Sequence, residues 1–135
     1  MRADATSPPL RNRSADRVLV DAPCSGLGVM HRRPDLRWRV APEDPANLAK
    51  LQRRLLEAAA PLVKSGGTLT YSVCTLTRAE SVAVVEAFLD DHPEFGADAP
   101  LEGPWESDGP VSILLPQREG TDGMALATLH RAPRH

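Results

Sequence analysis

Two cysteines stand fifty residues apart, Cys24 in Asp21-Ala22-Pro23-Cys24-Ser25-Gly26 and Cys74 in Tyr71-Ser72-Val73-Cys74-Thr75-Leu76. A thiolate is a soft nucleophile, and a thiol placed where a strand gives way to a helix start gains thiolate character. Cys74 has that placement if Thr77-Arg78-Ala79-Glu80 is a capping box for the helix that follows. Pro23 holds Ala22 extended, so Cys24 leaves its strand without curling into a helix. The competing reading is a pair of buried structural thiols, because free cysteine is commonly buried. A redox pair is a third, although no C-x-x-C occurs. Two cysteines at this separation make no metal site by themselves.

The elements that must carry these residues follow from apolar spacing. Arg17–Asp21 is a short apolar run ending in a carboxylate and predicts a buried strand. Ala22–Ala41, with Pro23, Gly26, Gly28 and Pro34, predicts a long functional loop. Asp44 and Pro45 predict a helix start, and Leu48, Leu51, Leu55 and Leu62 its apolar face, with Ser65-Gly66-Gly67 as its end. Thr68–Val73 predicts a second strand. Val82, Val85, Phe88 and Leu89 predict the buried face of a second helix, stopped at Asp90-Asp91-His92-Pro93. Residues 94–110 read as loop. Val111–Leu115 and Met124–His130 read as two closing strands joined through Gly120-Thr121-Asp122-Gly123. This alternation predicts an α/β fold, a parallel sheet with helices on its faces and an antiparallel edge hairpin. Ligands of such sheets sit at the carboxyl ends of the strands, where Asp21, Cys24 and Cys74 all fall.

With 41% hydrophobic and 25% charged residues the 135-residue chain reads as one domain. No run approaches the roughly 20 apolar residues of a membrane span, and no signal leader is apparent, so a cytoplasmic location is expected. Residues 1–64 hold twelve Lys/Arg against seven Asp/Glu, whereas residues 65–135 hold four against eleven. A phosphate-bearing partner would prefer the first half; a merely solvated surface is the alternative. His31–Arg39 gathers Arg32, Arg33, Arg37 and Arg39 around Trp38, a set able to bind phosphate and stack on a displaced base. Gly26-Leu27-Gly28 lacks the third glycine of a dinucleotide loop, since His31 stands there.

The blocks RVLVDAPCSGLG (17–28) and GGTLTYSVCTL (66–76) resemble the two signatures of the RNA cytosine-C5 methyltransferases of the Sun and nucleolar Nop type. The connecting HRRPDLRWR and LQRRLLEAAAPLVKSGG and the closing LLPQREGTDGMALATL are similar to the same family, especially its bacterial branch acting on small-subunit ribosomal RNA. The resemblance runs from about Ala3 to Leu129. It implies the carboxy-terminal half of a Rossmann-like class I methyltransferase that uses S-adenosylmethionine. It implies that Cys74 adds to carbon 6 of a cytosine and that Cys24 helps to release the adduct. It implies that Asp21 faces base and methyl donor, and that Asp4 contacts the donor's adenine. Glu80 occupies a position where the family often has glutamate, and the capping box accounts for it. The glycine-rich loop and the acidic residue that build much of the family's cofactor site have no counterpart in residues 1–135, nor does an upstream RNA-binding part. The chain is therefore expected to be a single, incomplete catalytic domain with an open strand edge prone to self-association. A non-catalytic RNA-binding or interaction module is the second functional reading.

Overall fold

The computed structural model describes residues 2–133. Its sheet contains β1 (Ala15–Asp21), β2 (Val63–Val73), β3 (Phe95–Ala97), β4 (Glu106–Asp108), β5 (Val111–Leu114) and β6 (Met124–Arg131). The order is β1-β2-β6-β5-β4, with β3 also paired to β6. Only β1 and β2 run parallel; β6 is antiparallel to β2, β3 and β5. The closing strands thus form the expected antiparallel hairpin, but β6 sits inside the sheet, and every pairing among these strands except β1–β2 is antiparallel.

Between β1 and β2 lie a 3-10 turn (Leu27–Val29), the one-turn helix α1 (Leu36–Arg39) and the long helix α2 (Asp44–Ala59). Asp44 is the first residue of α2 rather than its cap. Its carboxylate accepts the Ala41 N–H at 2.8 Å, and Glu43 takes the cap position. The apolar stripe packs as its spacing predicts, with Leu55, Leu56 and Ala59 buried and Leu48 and Leu51 half-buried. One polar residue, Gln52, sits in that stripe and is fully buried.

The helix does not end at Ser65-Gly66-Gly67. It gives way at Ala60–Leu62 to a 3-10 turn carrying Pro61, which has no N–H to continue the ladder. The Ser-Gly-Gly segment lies inside β2, at an irregularity in its register with β1. Gly66 adopts φ +75°, and a Cβ on Gly67 would stand 2.8 Å from the Asp16 carbonyl oxygen. The glycines serve a bulge, not a helix cap.

After β2 come a 3-10 turn (Arg78–Glu80) and helix α3 (Val82–Asp91), then β3, β4, β5, the one-turn helix α4 (Pro116–Glu119) and β6. Val82, Val84, Val85 and Phe88 are buried and Leu89 half-buried. Helices α2 and α3 contact one another and share a core with Leu69, Tyr71, Val73, Ala125, Ala127 and Leu129. This corrects the expectation of helices on both faces. On the opposite face Thr68, Thr70, Leu126 and Thr128 are only half-buried, and Leu19 is 66% exposed. Segment 94–110 is not all loop: β3 and β4 are three-residue strands paired to β6 and β5. No helix among the described residues is long and apolar enough to cross a membrane.

Candidate active site

The parallel pairing of β1 with β2 sets Asp21 beside Ser72, and the Ala22 N–H extends it by donating to the Ser72 carbonyl at 3.0 Å. The two chains thus leave the sheet side by side. Three residues after Asp21 and two after Ser72, the thiols meet, with Cys24 Sγ 3.3 Å from Cys74 Sγ. Both are free and partly buried.

The loop behind Cys24 is stitched to the backbone of Cys74. The Gly28 N–H donates to the Cys74 carbonyl at 3.0 Å, and the Gly123 N–H donates to the Gly28 carbonyl at 2.7 Å. A Cβ on Gly28 would stand 2.3 Å from the Gly123 oxygen and 2.9 Å from the Cys74 oxygen. Gly28 is therefore glycine because backbone approaches it on both sides. No phosphate loop is needed to account for it.

Burial, and then the hydrogen bond with Cys74, push the Cys24 thiol up to about 12. Cys24 consequently keeps its proton at neutral pH, and it can donate that proton toward the neighbouring sulfur. The expected helix start beside Cys74 is displaced. The α-helix begins at Val82, and the intervening turn at Arg78–Glu80 is 3-10. The nearby positive group is instead Arg32, whose guanidinium lies within electrostatic reach of Cys74. Arg32 is held by Asp122 through both Nε, at 2.7 Å, and Nη2, and this pairing raises the Arg32 pKa. His31 Nε2 lies 3.4 Å from the same carboxylate.

The expected capping box does not form. Glu80 is fully buried, and its carboxylate accepts from the Thr77 hydroxyl at 2.7 Å rather than from the Thr77 N–H. It also accepts from the Ser25 N–H (2.7 Å), the Ser25 hydroxyl (2.6 Å), the Thr75 hydroxyl (3.2 Å) and Gln52 Nε2 (3.2 Å). Local sequence hides this set, since T-x-x-E satisfies a cap by itself while Ser25 is 55 residues away. The one signal was Gln52, a polar residue in an apolar helical stripe.

Asp4 and Asp21 come together in a groove that neither thiol lines. Its volume is about 470 Å³, and its remaining walls, Thr6 apart, are apolar, from Val18, Leu19 and Val20 of β1 and Leu51 and Leu55 of α2 among others. The Thr6 hydroxyl (2.7 Å) and N–H (2.8 Å) donate to Asp4 Oδ1 and hold its carboxyl below the usual range. Beyond Cys24, Arg33 and Arg39 flank Asp35 at 3.4 and 3.3 Å. Arg37 is exposed and makes no ion pair among the described residues, and Trp38 is 85% exposed. No group of three or more His, Cys, Asp or Glu among the described residues could hold a metal ion.

A family model described as 16S rRNA methyltransferase RsmB/F matches residues 1–130. The probable ribosomal RNA small subunit methyltransferase B of Bacillus subtilis is 45% identical over 127 residues, 89% of this chain and 28% of that protein. The ribosomal RNA small subunit methyltransferase B of Thermus thermophilus is 47% identical over 122 residues, 87% of this chain and 29% of that protein. Among solved structures, NSun6 from Pyrococcus horikoshii with SFG superposes with a TM-score of 0.82 at 28% identity, covering 99% of this chain and 34% of that one. A methyltransferase homologue from the same organism superposes with a TM-score of 0.73 at 27% identity, covering 87% and 39%. The chain spans under a third of the length of these two curated relatives.

Proposed function

The chain belongs to the 16S rRNA methyltransferase RsmB/F family, and on that premise we propose that it carries the reaction centre for methylating carbon 5 of cytosine in RNA. The substrate class is small-subunit ribosomal RNA, the methyl donor is S-adenosylmethionine, and the work is done in the cytoplasm. Residues 1–135 are read as a single catalytic unit that acts together with further cofactor- and RNA-binding parts of a longer protein. The observation that carries this reading is the pair of thiols 3.3 Å apart at the carboxyl ends of two parallel strands.

The groove fits the methyl donor in chemistry. Its apolar walls suit adenine and methylene groups, while carboxylates suit an amine, a ribose hydroxyl or a positively charged sulfur. Asp4 and Asp21 would hold it there, beside the walls of Val18, Leu19 and Leu51. The SFG present in the Pyrococcus horikoshii neighbour, an analogue of S-adenosylmethionine, supports that assignment. When bound, S-adenosylmethionine supplies an electrophilic methyl group.

The chain's own residues then divide the work. Cys74 releases its proton to solvent, its sulfur forms a bond to carbon 6 of the cytosine, the ring takes the electron pair of the carbon 5–carbon 6 double bond, and carbon 5 becomes nucleophilic. After carbon 5 is substituted, its proton must leave and the carbon 6–sulfur bond must break. Cys24 serves both needs: its retained proton passes to the departing Cys74 sulfur, and the Cys24 sulfur so exposed accepts the proton from carbon 5. Arg32, fixed by Asp122, lies within electrostatic reach of Cys74. With Arg33 and Arg37 it also offers cations to RNA phosphates, and the exposed Trp38 a face for an unstacked base.

The test is covalent trapping in the full-length protein incubated with RNA and S-adenosylmethionine. Cys24→Ala is expected to accumulate a denaturation-resistant RNA adduct, and Cys74→Ala to form none. Equal adduct yields from the two variants would refute the assignment.

A further inference from the structure

We infer that Glu80 is the positioning residue of the two-cysteine site, the group that sets the distance between the sulfurs. The inference rests on the reading of Cys24 and Cys74 as a reactive pair and adds a residue to it.

Neither sulfur is held by a direct contact with Glu80; the residue that follows each cysteine is. Ser25, next to Cys24, gives the carboxylate both its N–H (2.7 Å) and its hydroxyl (2.6 Å). Pro23, on the other side of Cys24, is tied in through Gln52, whose Nε2 donates to the Pro23 carbonyl (3.0 Å) and to Glu80 (3.2 Å). Thr75, next to Cys74, donates to Glu80 at 3.2 Å and lies 2.9 Å from the Ser25 hydroxyl. The carboxylate is itself anchored, because the Tyr71 hydroxyl donates to the Glu80 carbonyl at 2.6 Å and Tyr71 is fully buried in β2.

The chemistry suits an acceptor-only group. A carboxylate has about four lone-pair sites, and here five donor groups from four residues in three segments surround it. Such charge-assisted bonds are short and strong in a dry setting. Glu80, Gln52, Ser25 and Thr75 are all buried, so water does not substitute for a lost partner. Removing the carboxylate leaves the Cys24 and Cys74 loops joined through Gly28 and the single Ser25–Thr75 hydroxyl contact, and the sulfurs drift apart.

The test measures thiol geometry in the full chain without RNA or cofactor. Diamide takes two electrons and two protons from the thiol pair, and the rate of Cys24–Cys74 disulfide formation reports their proximity. Glu80→Ala is expected to slow that rate on the order of tenfold or more, by the steep dependence of proximity effects on misplacement of about 1 Å. Alkylation of Cys24, followed by mass spectrometry, should also begin at lower pH in this variant, because the loop is less buried. Glu80→Gln keeps the shape and one acceptor oxygen and should restore most of both properties. Should Glu80→Ala lose its fold by circular dichroism, the double variant Ser25→Ala/Thr75→Ala removes the hydroxyl links while keeping Glu80, and takes its place. A folded variant with wild-type disulfide rate and wild-type pH profile overturns the inference. If these readouts shift but Cys74→Ala still forms the RNA adduct, the methyl-transfer reading fails and the positioning role stands.

Discussion

The two flanks of β1 are built on opposite plans. Past its carboxyl end the backbone is fastened repeatedly: Ala22 to Ser72, Ser25 to Glu80, Gly28 to both Cys74 and Gly123. Along its side, the groove is walled by half-buried Val18 and Val20 and by the 66% exposed Leu19, with two carboxylates among its lining residues. A bond-forming step tolerates little misplacement, whereas binding an extended ligand needs mainly shape and a few polar anchors. The difference teaches which part of the molecule is set in advance by folding and which is completed by what lies against it.

The largest effect that would sharpen this contrast comes from Gly28→Ala. With backbone oxygens 2.3 and 2.9 Å from the new Cβ, the seam must part. The expected loss is about 2–4 kcal/mol of stability, read by urea denaturation. By contrast, Leu19→Ser on the open flank should change stability by only about 0.5 kcal/mol while weakening S-adenosylmethionine binding in the full-length protein. Equal stability losses from the two variants would break the contrast.

Within the groove, Asp21→Asn should weaken methyl-donor binding about tenfold, roughly 1.4 kcal/mol, by calorimetry. Asp4→Ala should weaken it less, since Asp4 already gives one oxygen to Thr6.

The fastened flank also predicts a pH signature. An ordinary thiol ionises near 9.0, whereas folded Cys24 holds its proton to about 12. Between those values the unfolded chain binds fewer protons than the native one, so stability falls as pH rises. The contribution is complete below about pH 9. Cys24→Ala should flatten that alkaline decline in thermal melts, and in the unsubstituted chain Cys24 should stay unalkylated through pH 9.

The smallest effects belong to the exposed cations. Arg33→Ala and Arg37→Ala should each lower the slope of log K against log salt for RNA by about 1 if they meet phosphates. An unchanged slope would remove them from the RNA surface.

Much of this was legible in the sequence because it depends on local pattern. The apolar runs ending at Asp21 and Val73 gave β1 and β2, and the spacing of Leu51, Leu55 and Phe88 gave the two long helices. Both cysteines fell at strand ends by counting alone. The rest depends on partners far along the chain. Thr77 and Glu80 satisfy a capping pattern, yet the carboxylate turns to Ser25 and Gln52. Ser65-Gly66-Gly67 reads as a helix stop because a bulge needs the same φ > 0 residues. The short strands β3 and β4 lack any alternation and exist because β6 and β5 offer edges to pair with. The uncovered face of β2 was written in Thr68 and Thr70 alternating with Leu69 and Tyr71, a pattern of one-sided burial.

The Gly28 seam has one more consequence. Because both its N–H and its C=O are engaged, to Cys74 and Gly123, the loops after β1, after β2 and before β6 are tied to one another through one residue. On the proposed reading, a base arriving beside Cys74 would meet a wall whose entropy of ordering was lost during folding. Little ordering remains to oppose its arrival, so discrimination among bases would come from steric fit rather than from closure around the guest.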